Sequence, residues 1–209
     1  MGTIKDGLLL LEAADLIVGH NIIAFDIPAL KKVYSWFKPK GLVRDTLVLS
    51  RLIRADSKDH KARDWKLVNK GFFPKDKKRL IGRHSLESWG YRLGLWKGDY
   101  AEIKEAEAKS LGITDKQAIV RYVWGTWNEE MQAYCEQDVE VTTKLWQHFS
   151  DKLDNGWSAE TVDLEHETAW VIERQTTFGI LFNTEEAGRL YAKLIEHSER
   201  LTQELQRTF

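Results

Sequence analysis

A short apolar run at residues 16–19 is predicted to be a buried strand, and it follows a leucine-rich stretch, 8–15, that has helical character. After a turn at His20 and Asn21, a helix is predicted with Asp26 near its N-terminal end. The helix dipole and the free N–H groups favour a carboxylate there. An acid just beyond the end of a buried strand is also a common place for chemistry in open α/β sheets. The alternative is that Asp26 only caps the helix.

Helical periodicity dominates the rest of the chain. A second short strand is predicted at residues 42–46, with Asp45 or Thr46 as the cap of the helix that follows. A break at residues 154–158 marks a predicted domain boundary. Further helices are predicted at residues 29–37, 47–53, 84–94, 114–123, 126–153, 164–178 and from 184 onward, with a turn and a short strand at 179–183.

Residues 58–83 differ in composition from their surroundings. Ten lysines and arginines stand against three aspartates, and Trp65, Phe72 and Phe73 are interleaved with them. A basic loop that contains aromatic residues suits a phosphate backbone and unstacked bases. The alternative is a solvated surface insertion whose aromatic side chains tuck inward. Both interpretations stay open at this point.

Composition restricts the class of protein. A chain of 209 residues with a formal net charge of −1 has no overall charge that marks a nucleic-acid partner. Cys135 is the only cysteine, which excludes a disulfide within the chain and favours a reducing compartment. No apolar run has the length of a membrane span, and the sequence does not open with a secretory signal pattern. We therefore expect a cytoplasmic protein.

Carboxylates are the candidate chemistry once the commonest motifs are excluded. The sequence lacks the phosphate-binding patterns GxxxxGK[ST] and GxGxxG, the zinc patterns HExxH and paired CxxC, and the serine-hydrolase pattern GxSxG. Magnesium takes one or two protein carboxylates together with water and phosphate oxygens, and two such ions stabilise the attacking and leaving oxygens of a phosphodiester. Asp26 and Asp138 are the candidate ligands. Tyr134 lies one helical turn before Asp138, either as its ordinary hydrogen-bond partner or as a group that orients a water.

Two motifs carry a resemblance to a known family. Asn21-x-x-x-Phe25-Asp26 resembles the second motif of the DnaQ-like (DEDD) 3′–5′ exonucleases. Tyr134-x-x-x-Asp138 resembles their third motif in its tyrosine subclass. Longer stretches resemble podovirus-type family-A DNA polymerases, which contain such an exonuclease domain: residues 20–30, 45–52, 84–94, 127–145 and 162–209.

The resemblance implies a ribonuclease H-like α/β fold that removes mismatched nucleotides from single-stranded DNA 3′ ends in the host cell cytoplasm, with Mg²⁺ or Mn²⁺ as cofactor. It implies that Asp26 and Asp138 bind metal and, with Tyr134, form the catalytic set. Residues 1–153 would be the exonuclease domain and residues 160–209 the beginning of a polymerase domain. The residues that we assign to DNA contact are Asn21, Phe25, Lys75, Lys77, Lys78 and Arg79.

The family's first motif, D-x-E on its first strand, has no counterpart before Asn21 in this sequence. The same letters occur at residues 138–140 and 163–165, but in the wrong place for that motif. We therefore expect an exonuclease fold without its first three strands. Such a chain would be mostly helical with a small parallel sheet remnant, marginally stable and prone to association. Hydrolysis by this chain alone is expected to be very weak or absent.

The leading hypothesis is thus a phage-type DNA polymerase fragment that is incomplete at both ends. Two alternatives stay open. The chain is a non-catalytic single-stranded nucleic-acid-binding remnant that uses residues 58–83, or it is one half of a split exonuclease. In the split case, the missing N-terminal and polymerase segments lie on other chains.

Overall fold

The computed structural model describes residues 2–95 and 98–208, which form two compact units that divide between Glu173 and Arg174. The described chain is mostly helical, and its strands form a small parallel sheet, as predicted from the sequence. The elements in chain order are α1 (Ile4–Ala13), β1 (Leu16–Gly19), α2 (Asp26–Val33), β2 (Leu42–Asp45), α3 (Thr46–Ile53), α4 (Ser57–Asn69), a 3₁₀ helix (Lys78–Leu80), α5 (Leu86–Leu93), α6 (Tyr100–Ser110), α7 (Lys116–Trp124), α8 (Glu129–Leu153), α9 (Ala159–Phe178) and α10 (Thr184–Thr208).

The two strands run parallel, with Leu16 opposite Leu42 and Gly19 opposite Asp45. Their carboxyl ends therefore meet at one edge of the sheet, next to the turn that leads into α2. Gly41 permits the approach to β2, because a Cβ at this position would lie 2.0 Å from the carbonyl oxygen of Ala14. A cluster of buried isoleucines joins the sheet to α2: Ile17, Ile22, Ile23 and Ile27.

Helix α8 provides the largest part of the core. Helices α3 and α5 pack against it, and it also contacts β1. Trp89 of α5 is buried at this junction, where its indole N–H donates to the Ser50 hydroxyl at 2.8 Å. The other buried members of this cluster are Leu49, Leu145, Phe149 and Val162. Because α8 touches both the sheet and this cluster, it holds the first unit together.

Residues 58–83 are not one loop. Helix α4 occupies most of the first half and is capped by Asp56, whose carboxylate accepts the N–H groups of Lys58 and Asp59. Phe73 is buried in a cluster with Val68, Leu80 and Tyr91, whereas Trp65 and Phe72 are exposed. The loop prediction is therefore wrong for α4, since this cap and the burial of Val68 stabilise a helix despite its charge.

Other predicted elements are present with shifted ends. The helix predicted at residues 29–37 starts at Asp26 and ends at Val33, and the helix predicted at 164–178 starts at Ala159. The short strand predicted at residues 179–183 is wrong, because these residues are irregular and have no paired strand within the described chain. The predicted family domains, 1–153 and 160–209, stay a prediction.

The second unit consists mainly of α10. The side chain of Asn183 accepts the N–H of Glu186 at 3.0 Å, which makes it the N-terminal cap of α10. One face of α10 is apolar and exposed, and its members are Leu190, Tyr191, Leu194, Leu201 and Leu205. None of the described helices combines the length and the apolarity that crossing a membrane requires.

Candidate active site

A cleft of about 610 Å³ is lined by the carboxyl end of β1, the start of α2 and one face of α8. Asp26 of α2 and Asp138 of α8 both line it, and we call it the carboxylate cleft. Both residues line this cleft because α8 packs against β1, the strand that leads into α2. The structure therefore brings together the two aspartates that the sequence singled out. Their role as metal ligands stays a prediction.

Asp26 is the first residue of α2, and the N-cap position before it is held by Phe25. The alternative that Asp26 is simply the capping residue is therefore not supported. Desolvation by surrounding atoms is the main cause that raises the pKa of Asp26. The hydrogen bond from its own backbone N–H lowers this pKa, whereas the negative charge of Asp45 raises it further. The side chain is nevertheless exposed. A cation in the cleft would lower this pKa by favouring the carboxylate.

Asp45 organises the turn that precedes Asp26. Asp45 is buried at the end of β2, with only 2% of its surface exposed. Oδ1 accepts the N–H of Asn21 at 2.8 Å and that of Leu47 at 2.8 Å, and Oδ2 accepts the N–H of Ile23 at 3.2 Å. One carboxylate thus caps α3 and fixes the loop between β1 and α2. The sequence predicted the capping role but not the contact with Asn21.

Asn21 has a left-handed backbone, with φ of 64°. Asparagine tolerates this conformation better than most residues, and the bond from its N–H to Asp45 holds the turn in place. The motif asparagine therefore shapes the loop through its backbone. Its predicted contact with DNA stays a prediction.

His20 also lines the carboxylate cleft, a placement that the sequence did not predict. Its Nδ1 lies 2.9 Å from the Thr46 hydroxyl, which donates to the Gly19 carbonyl oxygen at 3.2 Å. Because that hydroxyl has one hydrogen, it accepts from a protonated Nδ1 of His20. The first residue of α3 therefore fixes the orientation of this imidazole.

Tyr134 is not among the residues that line the carboxylate cleft. Its ring packs against Tyr100 at 5.8 Å and Trp124 at 6.0 Å between centroids, and it lines a neighbouring groove of about 370 Å³ with Gln137. The structure thus places Tyr134 one helical turn from Asp138 but with its ring in an aromatic cluster. Sequence reasoning missed this cluster, because its members come from three separate helices.

Phe25 stands beside Asp26 with 66% of its surface exposed. An exposed aromatic ring next to a carboxylate is suited to stacking on an unpaired base. This placement agrees with the assignment of Phe25 to DNA contact, which stays a prediction.

The four basic residues assigned to DNA contact fall into two groups. Lys77 forms ion pairs with Glu87, Asp99 and Glu102, and its side chain is 12% exposed. Burial disfavours its charge, but the hydrogen bond with Glu102 and the nearby acids raise its pKa overall. Arg79 also pairs with Glu87 and Glu102.

Lys75 and Lys78 are exposed and form no ion pair within residues 2–95 and 98–208. These two lysines present their charge to solvent, whereas the charges of Lys77 and Arg79 are balanced by neighbouring acids. Sequence reasoning missed these acids because they lie on α5, before α6 and on α6.

The two D-x-E sequences named above do not complete the site. Asp163 pairs with Arg44 at 2.5 Å and lines a separate groove with Trp170. Glu140 is exposed and does not line the carboxylate cleft. Both placements agree with the prediction that neither sequence is the family's first motif.

The donor set fits a hard divalent cation. Two carboxylates that face one cleft supply the protein ligands that Mg²⁺ takes beside water and phosphate oxygens. Among the described residues, no group of three or more histidines, cysteines, aspartates or glutamates is placed to hold a metal ion. Asp26 and Asp138 are thus enough for one cation that substrate oxygens complete, and too few for a pair of cations.

Comparisons with known proteins show which proteins this chain is similar to in sequence. No family model matches the chain. The DNA-directed DNA polymerase of Escherichia phage T7 is 36% identical over 216 residues, an alignment that covers 93% of this chain and 29% of the relative. The DNA-directed DNA polymerase of Enterobacteria phage T3 gives the same identity and the same coverage. The chain spans less than a third of the length of these curated relatives. It is therefore related to phage DNA-directed DNA polymerases.

Proposed function

We propose that the carboxylate cleft binds the 3′ end of a DNA strand and is the site of a proofreading 3′–5′ exonuclease. The observation that carries the proposal is the convergence of Asp26 and Asp138 on one cleft at the carboxyl end of β1. The relationship to phage DNA polymerases supports DNA as the substrate class. The two exonuclease-like motifs, which lie far apart in sequence, each supply one aspartate to the cleft.

Each residue has a role in this proposal. Asp26 and Asp138 would hold Mg²⁺ or Mn²⁺, which supplies charge stabilisation to the phosphodiester under attack. Phe25 stacks on the terminal base, and Asp45 keeps the loop that carries Phe25 and Asp26 in place. Tyr134 orients the attacking water, a role that requires its ring to leave the contact with Tyr100 and turn toward Asp138.

Hydrolysis by these 209 residues alone is proposed to be slow. A two-cation mechanism needs more carboxylates than Asp26 and Asp138, and residues 1–20 contain no D-x-E pair. DNA-end binding needs fewer ligands than hydrolysis does. The chain is therefore expected to retain metal-dependent binding with little turnover.

The test measures binding and hydrolysis side by side. A fluorescent single-stranded oligonucleotide is titrated in Mg²⁺ and in EDTA, and its 3′ end is followed for degradation. We expect Mg²⁺ to tighten binding, and Asp26→Asn and Asp138→Asn to abolish that gain. Glu140→Gln is the matched control, because Glu140 lies on α8 near Asp138 but outside the cleft.

Two outcomes would overturn parts of the proposal. Rapid degradation that Asp138→Asn abolishes would show that these residues contain a complete hydrolytic centre. Binding that Mg²⁺ does not change would reject the carboxylate cleft as a DNA-end site.

A second candidate function is single-strand binding without catalysis. The exposed Lys75 and Lys78, together with the exposed ring of Phe72, favour it. Its signature is binding that is independent of Mg²⁺, weakens steeply with salt and is reduced by Lys75→Ala with Lys78→Ala. The Asp26→Asn variant would not affect it.

A further inference from the structure

A second cleft, of about 290 Å³, lies on the part of the first unit formed by the end of α3, α4, α5 and α8. Leu67, Trp89 and Leu93 supply its apolar surface. The remaining lining consists of four lysine or arginine side chains, two histidines and the carboxylate of Asp64, and we call the site the cationic cleft. Its basic members are Arg54, Arg63, Lys66, Arg92, His60 and His148.

Arg54 is the central group of this cleft. It follows α3 as the C-cap residue and is half-buried. Its guanidinium forms no hydrogen bond and no ion pair with the part of the chain that the structure describes. Burial is the main cause that lowers its pKa, the positive charges of Arg63 and Arg92 add to the effect, and the negative charge of Asp59 acts against it. A half-buried guanidinium close to other cations is stabilised when an anion binds to it.

The nearby acids are already paired with other cations. Asp59 accepts from Arg63 at 2.8 Å, and Asp64 binds Arg92 through two hydrogen bonds of 2.8 Å each. Neither carboxylate forms an ion pair with Arg54. The local acids therefore leave at least one full positive charge uncompensated at the cleft.

Lys152 adds to this charge. Its Nζ lies 2.5 Å from Nε2 of His148, so the lysine donates to a neutral imidazole. Burial first, and then the charges of Arg54 and Arg63, lower the pKa of Lys152, while Asp151 acts in the opposite direction. The pKa of His148 is lowered by burial and by Lys152 and Arg54, which keeps the imidazole neutral. Lys152 does not line the cleft, but it adds a positive charge next to His148, which does.

We propose that the cationic cleft binds a phosphate group, with Arg54 as its principal ligand and Arg63, Lys66 and Lys152 as the surrounding field. A guanidinium presents a planar fork of donors that matches two phosphate oxygens. The apolar surface of Trp89 and Leu93 lowers the local dielectric and strengthens this attraction. The two sources of such a phosphate are a nucleic-acid backbone and a free nucleotide.

The position of the cleft on α8 relates it to the carboxylate cleft. His148 lies ten residues after Asp138 in the same helix, which corresponds to about 15 Å along its axis. Both clefts thus use residues of the same helix. The phosphate site itself does not depend on hydrolysis at Asp26 and Asp138.

The experiment measures phosphate binding by calorimetry in EDTA, so that no divalent cation occupies the carboxylate cleft. The probes are inorganic phosphate, thymidine 5′-monophosphate and a short oligothymidylate. The key variant is Arg54→Gln. Its control is Arg51→Gln, which removes the same charge from an exposed residue of α3 that does not line the cleft.

We expect Arg54→Gln to weaken binding by about tenfold, the effect of losing one charge-assisted contact. Arg51→Gln should change it less than about twofold, as for an exposed charge. Because Arg54 faces other cations, Arg54→Gln should leave the melting temperature of the ligand-free protein unchanged or raised. The stabilisation by added phosphate should be reduced to match the weaker binding.

The comparison of the three probes distinguishes a nucleic-acid backbone from a free nucleotide as the source of the phosphate. Tighter binding of the oligothymidylate than of the monophosphate, with the Arg54 effect retained, indicates a backbone phosphate. Equal affinities indicate a free nucleotide. Phosphate that does not bind, or an equal loss in Arg51→Gln and Arg54→Gln, overturns the proposal. Asp138→Asn should bind phosphate like the unmodified protein, which separates this result from failure of the exonuclease proposal.

Discussion

The N–H of Asn21 donates to Oδ1 of Asp45 across 24 residues of sequence, at a distance of 2.8 Å. This bond joins the turn after β1 to the end of β2. It fixes the left-handed backbone of Asn21, which in turn directs Asp26 toward the carboxylate cleft. The geometry of the candidate site therefore depends on an aspartate that is not itself a proposed ligand.

Asp45→Ala is expected to destabilise the protein by about 3–5 kcal/mol, because it leaves the buried N–H of Ile23 and the partly buried N–H groups of Asn21 and Leu47 without an acceptor. Urea unfolding followed by circular dichroism measures the change. Asp56→Ala is the control, since Asp56 also accepts backbone N–H groups but at an exposed helix end. It should cost only about 1 kcal/mol. Equal losses in the two variants would contradict the role given to Asp45.

Local patterns predicted the parts of this fold that local interactions determine. The strand before Asn21, the helix that starts at Asp26 and the cap of α3 all follow from periodicity and capping residues within a few positions. The bond between Asn21 and Asp45 joins separate segments, and no local pattern encodes it. The placement of Tyr134 against Tyr100 and Trp124 escaped prediction for the same reason.

Charge composition was the least reliable guide. The basic character of residues 58–83 predicted a loop, but α4 forms because its buried positions complete a core with Phe73 and Tyr91. The charges there also proved to be specific partners. Asp64 of α4 binds Arg92 of α5, and the acids before and within α6 bind Lys77. Net charge along a segment does not report such pairs.

The Asp64–Arg92 pair should be strongly coupled. The two side chains are 1% and 7% exposed, and Asp64 also accepts the N–H of Gly82 at 2.7 Å. Asp64→Leu or Arg92→Leu alone leaves a buried charge without its partner, which is expected to cost about 3–5 kcal/mol. The double variant should cost less than the sum of the two, as chemical denaturation would show.

The control for that cycle is the Asp59–Arg63 pair of α4, whose side chains are both more than half exposed. Breaking this pair should cost less than about 1 kcal/mol. Additive losses in the Asp64–Arg92 cycle would mean that the two residues stabilise the protein independently.

Stability should fall as the pH falls from about 6.5 to about 4. Burial is the main cause that lowers the pKa of His84 to about 4, and the stacked ring of His60, with its centroid at 4.7 Å, adds to it. Between these pH values the unfolded chain binds a proton that the folded chain does not, so protonation favours unfolding. The contribution of His84 is fully present above about pH 6.5 and is lost on acidification.

Urea unfolding at a series of pH values tests this dependence. His84→Asn should flatten the curve in that window, because asparagine does not titrate. His197→Asn is the control, since His197 lies exposed on α10. An unchanged slope in His84→Asn would assign the acid sensitivity to other groups, among which His60, His148 and His166 also have lowered pKa values.

Cys135 should report occupancy of the carboxylate cleft. It is the only cysteine of the chain, its residue is exposed, and it lines the cleft together with Asp138. A DNA 3′ end held between Asp26 and Asp138 in the presence of Mg²⁺ would cover the thiol. We expect such a strand to slow alkylation of Cys135 by iodoacetamide severalfold, measured by mass spectrometry of the intact protein.

The protection of Cys135 should need both the metal and its proposed ligands. It should disappear in EDTA and in Asp138→Asn, and persist in Glu140→Gln, whose side chain lies outside the cleft. Because alkylation reads binding rather than hydrolysis, the result holds even if turnover is slow. An alkylation rate that DNA and Mg²⁺ leave unchanged would show that the strand binds elsewhere. The cationic cleft around Arg54 would then be the first alternative, and Arg54→Gln would test it on the same oligonucleotide.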